Sequence, residues 1–238
     1  ENPEELMSIS SGSAETTLLN LTTAYSAFLN GGKLVEPILI DRIQDSEGNT
    51  VYKNDKRNCI NCDQISYLSN DYPEIKNNYK QIFSTETAFQ MTSILEGVVQ
   101  RGTAKKLKDL NLNIAGKTGT TNKNTDTWFI GFTSNLLVGV YVGADSPTPL
   151  GRYETGSKTA LPIFKEFIKN AVKQSEARPF KAAKNTLMMV VDPNTGQKAK
   201  FTSKNTIIEV FKKQNVSNGK ILYSNTDRLD SNNILKFY

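Results

Sequence analysis

Apolar positions along this chain follow first a helical rhythm and then an alternating one, and the order of the two predicts the architecture. Over residues 16–30, Leu18, Leu19, Leu21, Ala24, Tyr25, Phe28 and Leu29 fall at helical spacing, and Gly31-Gly32 supply the stop. A helix with one buried face is predicted there, after a small polar lead over residues 1–15. Residues 37–43 and 50–53 read as two strands of a hairpin across the turn residues 46–49. Residues 54–83 are rich in Asn, Asp, Lys and Tyr with little period, which marks an insertion or a long surface loop. Ser84 or Thr85 then caps a second helix, with Glu86 in its first turn and Ala88, Met91, Ile94, Leu95 and Val98 as its apolar stripe. Arg101-Gly102-Thr103 ends it, and residues 104–110 add one or two turns.

The rhythm changes at residue 114. The stretch 114–131, IAGKTGTTNKNTDTWFIG, reads as a strand, a short polar loop and an aromatic strand. Residues 127–133 and 136–144 are separated only by Ser134 and Asn135, so they form an antiparallel hairpin beside the strand carrying Lys117. A Pro/Gly-rich loop over 145–158 leads to an amphipathic helix over 159–172, with Leu161, Ile163, Phe164, Phe167 and Ile168 on or near its inner face. Helices, then strands, then a packing helix is an α+β layout, an antiparallel sheet flanked by helices. Beyond residue 176 the composition shifts to a linker. It continues as a strand over 187–191, a turn, a partner strand over 197–201, a short helix over 205–213 and a loose Asn-rich end.

Composition narrows the chemistry. The 238 residues suit one large domain or one and a half, and 37% hydrophobic with 22% charged residues is a globular balance. The net charge of +5 is spread along the chain, as at Lys105, Lys106, Lys108, Lys165 and Lys169, which resembles solvated helix faces more than a nucleic-acid stripe. No nucleic-acid partner is implied. No apolar run approaches the roughly 18 residues of a membrane span, so a membrane is reached only through an anchor outside this chain. The chain begins with Glu1 rather than methionine and is read as a piece of something longer.

There is no histidine, which removes Ser-His-Asp and Cys-His catalysis and the commonest metal ligand. Cys59 and Cys62 form one C-x-x-C without the second pair that zinc needs, leaving a loop-stapling disulfide or two idle thiols. No cofactor and no metal are implied. The chemistry instead gathers at Lys117, Thr118 and Gly119, where an ammonium, a hydroxyl and a side-chain-free backbone would receive an anionic group lying along a strand edge.

Residues 95–143 carry GVV-x-x-GTA, the AGKTGTT core, D-x-WF-x-G and a glycine-bearing V-x-VG strand, in an order and spacing that resemble the back half of the transpeptidase domain of class A penicillin-binding proteins. Upstream, SSGSAETTLLNLTTAYSAFLNGG resembles that family's helix leading to the inner sheet. Downstream, RPF and VDPNTG followed by IIEVF resemble the tail after the domain. The similarity covers most of the chain outside residues 54–83 and the last two dozen.

The resemblance implies a β-lactamase/transpeptidase-like fold, with residues 1–175 as the carboxy-terminal portion of the domain and residues 176–238 as linker and small tail module. It also implies a serine acyltransferase that crosslinks peptidoglycan. A serine attacks the carbonyl before the terminal D-alanine of a stem peptide, D-alanine leaves, and an amine from a neighbouring strand resolves the acyl-enzyme. β-Lactams acylate the same serine. In this scheme Lys117 attracts the terminal carboxylate and Thr118 hydrogen-bonds it. Gly119 keeps the strand open for substrate, and Thr120 gives a backbone N–H to the oxyanion hole. Asp126, Trp128 and Phe129 shape and support the strand. The implied compartment is the cell envelope, on the periplasmic face of the inner membrane.

One departure matters. The family's nucleophile sits in Ser-x-x-Lys at a helix start, followed by Ser-x-Asn, and both precede Lys-Thr-Gly. In this chain the matches are Ser217-Asn218-Gly219-Lys220, Ser203-Lys204-Asn205 and Ser231-Asn232-Asn233, all after Lys117. A serine without an adjacent base is a weak nucleophile. The expectation is that the catalytic helix lies in a missing amino-terminal half, so this chain alone does not turn over. A non-catalytic remnant that only binds a partner is one rival. A phosphate-binding loop is another, because Gly116-Lys117-Thr118 matches its end, but the glycine required five residues earlier is Asn111.

Overall fold

The computed structural model describes residues 14–55, 57, 59–60, 74–75, 79–146, 148–200, 202–203, 205–217 and 220–221. Helix α1, Leu18–Leu29, starts where the Thr17 side chain accepts the Asn20 N–H at 3.1 Å. It ends at two glycines with positive φ, 77° and 88°. A Cβ on Gly32 would lie 2.2 Å from the Phe83 carbonyl oxygen, so this stop doubles as the crossing point for the chain entering α2.

Strands β1, Arg42–Gln44, and β2, Thr50–Lys53, pair antiparallel. Their turn closes on Asp45, whose carboxylate accepts the Asn49 N–H at 2.7 Å and the Glu47 N–H at 3.1 Å. These bonds, led by those from Asn49, hold its carboxyl below the usual range. The strand expected over 37–43 is shorter than its apolar run. Residues 37–41 have no ladder partner among the described residues, and Leu39 is 97% exposed. Of the expected insertion, the short antiparallel pair β3, Cys59–Ile60, and β4, Glu74–Ile75, is described. Cys62, and with it the state of the C-x-x-C, lies outside the described residues.

Helix α2, Thr85–Gln100, is capped by Ser84, which accepts the Thr87 N–H at 3.2 Å. Its buried stripe is Ala88, Phe89, Thr92, Leu95 and Val99, whereas Ile94 is 53% exposed. That differs from the expected stripe because α2 is wedged between α1 and the sheet. Thr92 turns inward and donates to the carbonyls of Ala88 at 3.0 Å and Phe28 at 3.3 Å. A 3-10 helix, Lys105–Leu110, plugs the core with Leu107.

Strands β5, Ala115–Thr120, β6, Asp126–Phe132, and β7, Leu137–Gly143, form an antiparallel sheet in the order β5-β6-β7. One face, carrying Phe129, Val138, Val140 and Val142, packs on α3, Ala160–Ala171. Phe129 meets Phe164 edge-on at 4.7 Å, and both rings are fully buried with Leu161 and Ile168. Ile163 and Phe167, expected on this inner face, are 53% and 51% exposed. They sit on the adjoining strip of the helix, and Ala160, Leu161, Phe164 and Ile168 fill the space against the sheet. The opposite face carries Ala115 and Phe132 against Leu95, with Tyr25, Phe28 and Phe180 around them.

The tail departs from expectation. The ladder of strand β8, Thr186–Val191, is with β9, Ile207–Lys212, in the segment expected to be helical, while from the expected partner segment the Ala199 N–H donates to the Val190 carbonyl at 2.9 Å and the Gln197 carbonyl accepts the Asp192 N–H at 3.0 Å. Residue 198 contributes only an isolated bridge to Val191. Half-buried Ile207 and Phe211 pack against buried Met189 and Val191, Val210 is buried on the other face, and that cross-strand packing overrides helical spacing. Where a loose end was expected, a second hairpin, β10, Val216–Ser217, and β11, Lys220–Ile221, adds buried Ile221 and half-buried Val216 to the same cluster, and residues beyond 221 lie outside the described residues. Ser217 and Lys220 are register partners in this hairpin, which is no helix start. No helix among the described residues is long and apolar enough to cross a membrane.

Candidate functional site

Among the described residues strand β5 is one of the two outer strands of its sheet, and its ladder decides what it offers. The Thr121 N–H donates to the Asp126 carbonyl at 3.0 Å, so residues 121 and 126 are a hydrogen-bonded pair. Antiparallel alternation then pairs Gly119 with Trp128 and Lys117 with Ile130, and turns the N–H and C=O groups of Thr118 and Thr120 away from β6. The outward Thr120 N–H therefore follows from register rather than from glycine freedom at 119. A Cβ on Gly119 would lie 3.1 Å from the Trp128 Cβ, a tight approach on the α1 side of the sheet.

Side chains alternate as well. Lys117 is exposed on the α1 side, and its Nζ donates to the Thr118 carbonyl oxygen at 2.7 Å, capping one outward acceptor. Thr118 and Thr120 lie on the α3 side. The Thr118 hydroxyl is 2.9 Å from the Thr103 hydroxyl, and the Thr120 hydroxyl accepts the Gly156 N–H at 3.1 Å. The edge is thus bracketed by a cation on one face and two hydroxyls on the other.

The end of β5 is held by two features. The Asp126 carboxylate accepts from the Tyr141 hydroxyl at 2.6 Å, Thr125 at 2.8 Å and Thr121 at 3.2 Å, which pins the loop between β5 and β6. Those bonds, Tyr141 foremost, lower the Asp126 pKa, and the same carboxylate raises the Tyr141 phenol. The Tyr141 ring lies tilted against Trp128 with centroids 4.8 Å apart, while Phe129 on the other face belongs to the core. The second holder is the segment before α3. A Cβ on Gly156 would fall 2.5 Å from the Trp128 carbonyl oxygen and 2.6 Å from that of Gly119, so this strap crosses directly over the strand pair. It is fastened by the Thr127 and Thr159 hydroxyls at 2.6 Å.

The predicted residues Lys117, Thr118, Gly119 and Thr120 are adjacent on one strand, with Asp126 and Trp128 beside it and Phe129 beneath. Thr103 and Gly156 escaped sequence reading, because nothing local says that a helix-ending turn and a Gly-rich loop converge on β5. Their only signal is the spacing of GTA ahead of AGKTG. Among the described residues no cluster of three metal-ligating side chains exists. Lys117 lies in mid-strand and β5 continues to Thr120, whereas a phosphate loop opens a helix.

The profile of the penicillin binding protein transpeptidase domain family matches residues 3–169. The chain belongs to that family. It is 41% identical to penicillin-binding protein 1A of Rickettsia bellii over 234 residues, covering 98% of this chain and 29% of that protein. The Rickettsia conorii protein of the same name is 41% identical over 231 residues, covering 96% of this chain and 28% of that protein. A 2.6 Å crystal structure of penicillin-binding protein 1A from Haemophilus influenzae superposes with a TM-score of 0.70 at 29% identity, over 91% of this chain and 34% of that one. This is the transpeptidase part of a class A penicillin-binding protein, a partial domain spanning under a third of the length of those curated relatives.

Proposed function

We propose that the chain supplies the carboxylate-binding wall of a peptidoglycan D,D-transpeptidase, whose serine comes from an amino-terminal portion of the same protein. The observation that carries this reading is the free edge of β5, with Lys117 on one face and Thr118 and Thr120 on the other. An extended peptide ending in a carboxylate adds to such an edge as a further strand, and the cation and hydroxyls receive its charge. The Thr120 N–H is one oxyanion donor and the serine's own N–H the other, stabilising the charge that develops as the acyl-enzyme forms. β-Lactams occupy the same wall. Residues 1–175 serve as the transpeptidase portion and residues 176–238 as linker and tail module, a division supported by the family match ending at residue 169. Exposure of Leu19 at 61% on α1 fits a face that the rest of the domain covers. The cell envelope, outside the inner membrane, is the setting that peptidoglycan crosslinking requires.

Fluorescent penicillin tests the reading. Covalent labelling of a longer protein bearing Ser-x-x-Lys, absence of label on residues 1–238, and severe loss of labelling in Lys117→Ala of the longer protein are expected. Label on residues 1–238 would place the nucleophile inside this chain. An unaffected Lys117→Ala variant would reject the role of the lysine, and a longer protein that never labels favours a non-catalytic remnant.

A further inference from the structure

We infer that Thr103 is a positioning residue for the carboxylate-binding strand, donating its hydroxyl proton to the Thr118 oxygen so that the Thr118 O–H is left free to point at an anion along the β5 edge. This rests on the reading of β5 given above. The two hydroxyls are 2.9 Å apart, and among the described residues each has no other hydrogen-bond partner. A hydroxyl carries one proton, so the direction of this bond decides whether Thr118 has a proton to offer. When Thr103 donates, Thr118 accepts from one side and donates from the other, and each bond polarises the other. When Thr118 donates, its proton is consumed inside the protein and an arriving carboxylate meets only lone pairs.

The position of Thr103 is set by the turn that holds it. The N–H groups of Arg101 and Gly102 close the end of α2 on the carbonyls of Gly97 and Val98, at 2.8 and 3.1 Å. Ala104, fully buried, donates to the same Val98 carbonyl at 3.1 Å. A Cβ on Gly102 would lie 2.9 Å from the Val98 Cα, so the turn packs on the helix with no slack. Thr103 is therefore presented to Thr118 from a fixed platform, although its own side chain is exposed to solvent.

The test uses the longer, labelling-competent protein and compares acylation by a fluorescent penicillin with acylation by its methyl ester, which lacks the negative charge. Thr103→Val removes the bond that holds and polarises the Thr118 hydroxyl, and should slow acylation by the acid about twofold while leaving the ester rate unchanged. Thr103→Ser, which keeps the hydroxyl, should restore the acid rate, and Thr103→Val combined with Thr118→Val should be no slower than Thr118→Val alone. Equal losses on acid and ester, a wild-type rate in Thr103→Val, failure of Thr103→Ser to rescue, or multiplying effects in the double variant would each overturn the assignment. Lys117→Ala separates the layers. A slow Lys117→Ala beside an unaffected Thr103→Val rejects the role of Thr103 alone, whereas an unaffected Lys117→Ala removes the site reading beneath it.

Discussion

The β5-β6-β7 sheet and the β8-β9 ribbon both lie against helices, but the sheet is joined to α3 through carbon and the ribbon to α2 largely through polar groups. Under the sheet, Phe129, Phe164, Leu161 and Ile168 are fully buried around one another. Along the ribbon, Gln90 donates to the Val210 carbonyl at 3.0 Å, Lys212 to the Thr87 hydroxyl at 2.8 Å and Asn185 to Glu86 at 3.2 Å, while Arg101 pairs with Glu209. Apolar contact is not screened by salt and is costly to interrupt. Exposed charged contact, as between Arg101 and Glu209, is screened and exchanges readily with water. Rigidity therefore lies beneath the candidate site, and the more readily exchanged contacts lie on the ribbon side of α2.

The largest break in this contrast is Phe129→Ala, which removes a fully buried ring from the centre of the sheet. It should destabilise the protein by about 3–5 kcal/mol in denaturant unfolding. A loss under about 1 kcal/mol would mean that α3 does not depend on this core. Gly156→Ala comes next, since its Cβ would collide with two backbone oxygens that have no room to move. A cost of about 1–3 kcal/mol is expected, with slower acylation in the longer protein as the strap lifts from Gly119. Wild-type stability in this variant would show that the strap is loose.

A smaller effect is expected at the loop between β5 and β6. Asp126 has its pKa lowered in the folded state, so its bonds stabilise the fold above the unfolded carboxylate pKa, and that contribution is lost as pH falls through the folded value. Tyr141→Phe removes the leading donor. The variant should be less stable than wild type at neutral pH, with the gap closing as pH drops below about 4. A gap that persists unchanged in acid would exclude an ionised Asp126 as its cause. The smallest change is Glu209→Gln, whose partner Arg101 is 43% exposed. Global stability should fall by under about 1 kcal/mol, while amide exchange in β9 rises and the difference from wild type shrinks in high salt. An equal rise in exchange throughout β5–β7 would erase the distinction between the two regions.

Much of this protein was legible along the chain. Helical spacing located α1, α2 and α3, because each must turn an apolar stripe toward something, and Ser84 announced its helix through a cap that works within three residues. The antiparallel pairing of β6 with β7 followed from a two-residue connection, and the Lys-Thr-Gly strand stood out by its residue types. Which stripe of α2 or α3 is buried was not legible. Ile94, Ile163 and Phe167 are as apolar as their buried neighbours, and only the crossing of helix and sheet leaves them in water. The short helix expected over 205–213 was wrong, because pairing with β8 makes Ile207–Lys212 a strand.

The amino-acid order determined the local elements and the chemistry carried by β5, since propensity, caps and short turns act over a few residues. Only the tertiary structure decided that Thr103 and Gly156 converge on that strand, that Tyr141 holds its closing loop through Asp126, that its outward N–H groups belong to Thr118 and Thr120, and that the tail clasps α2. Those contacts join positions from 13 to more than 100 residues apart, where spacing in the sequence carries no distance.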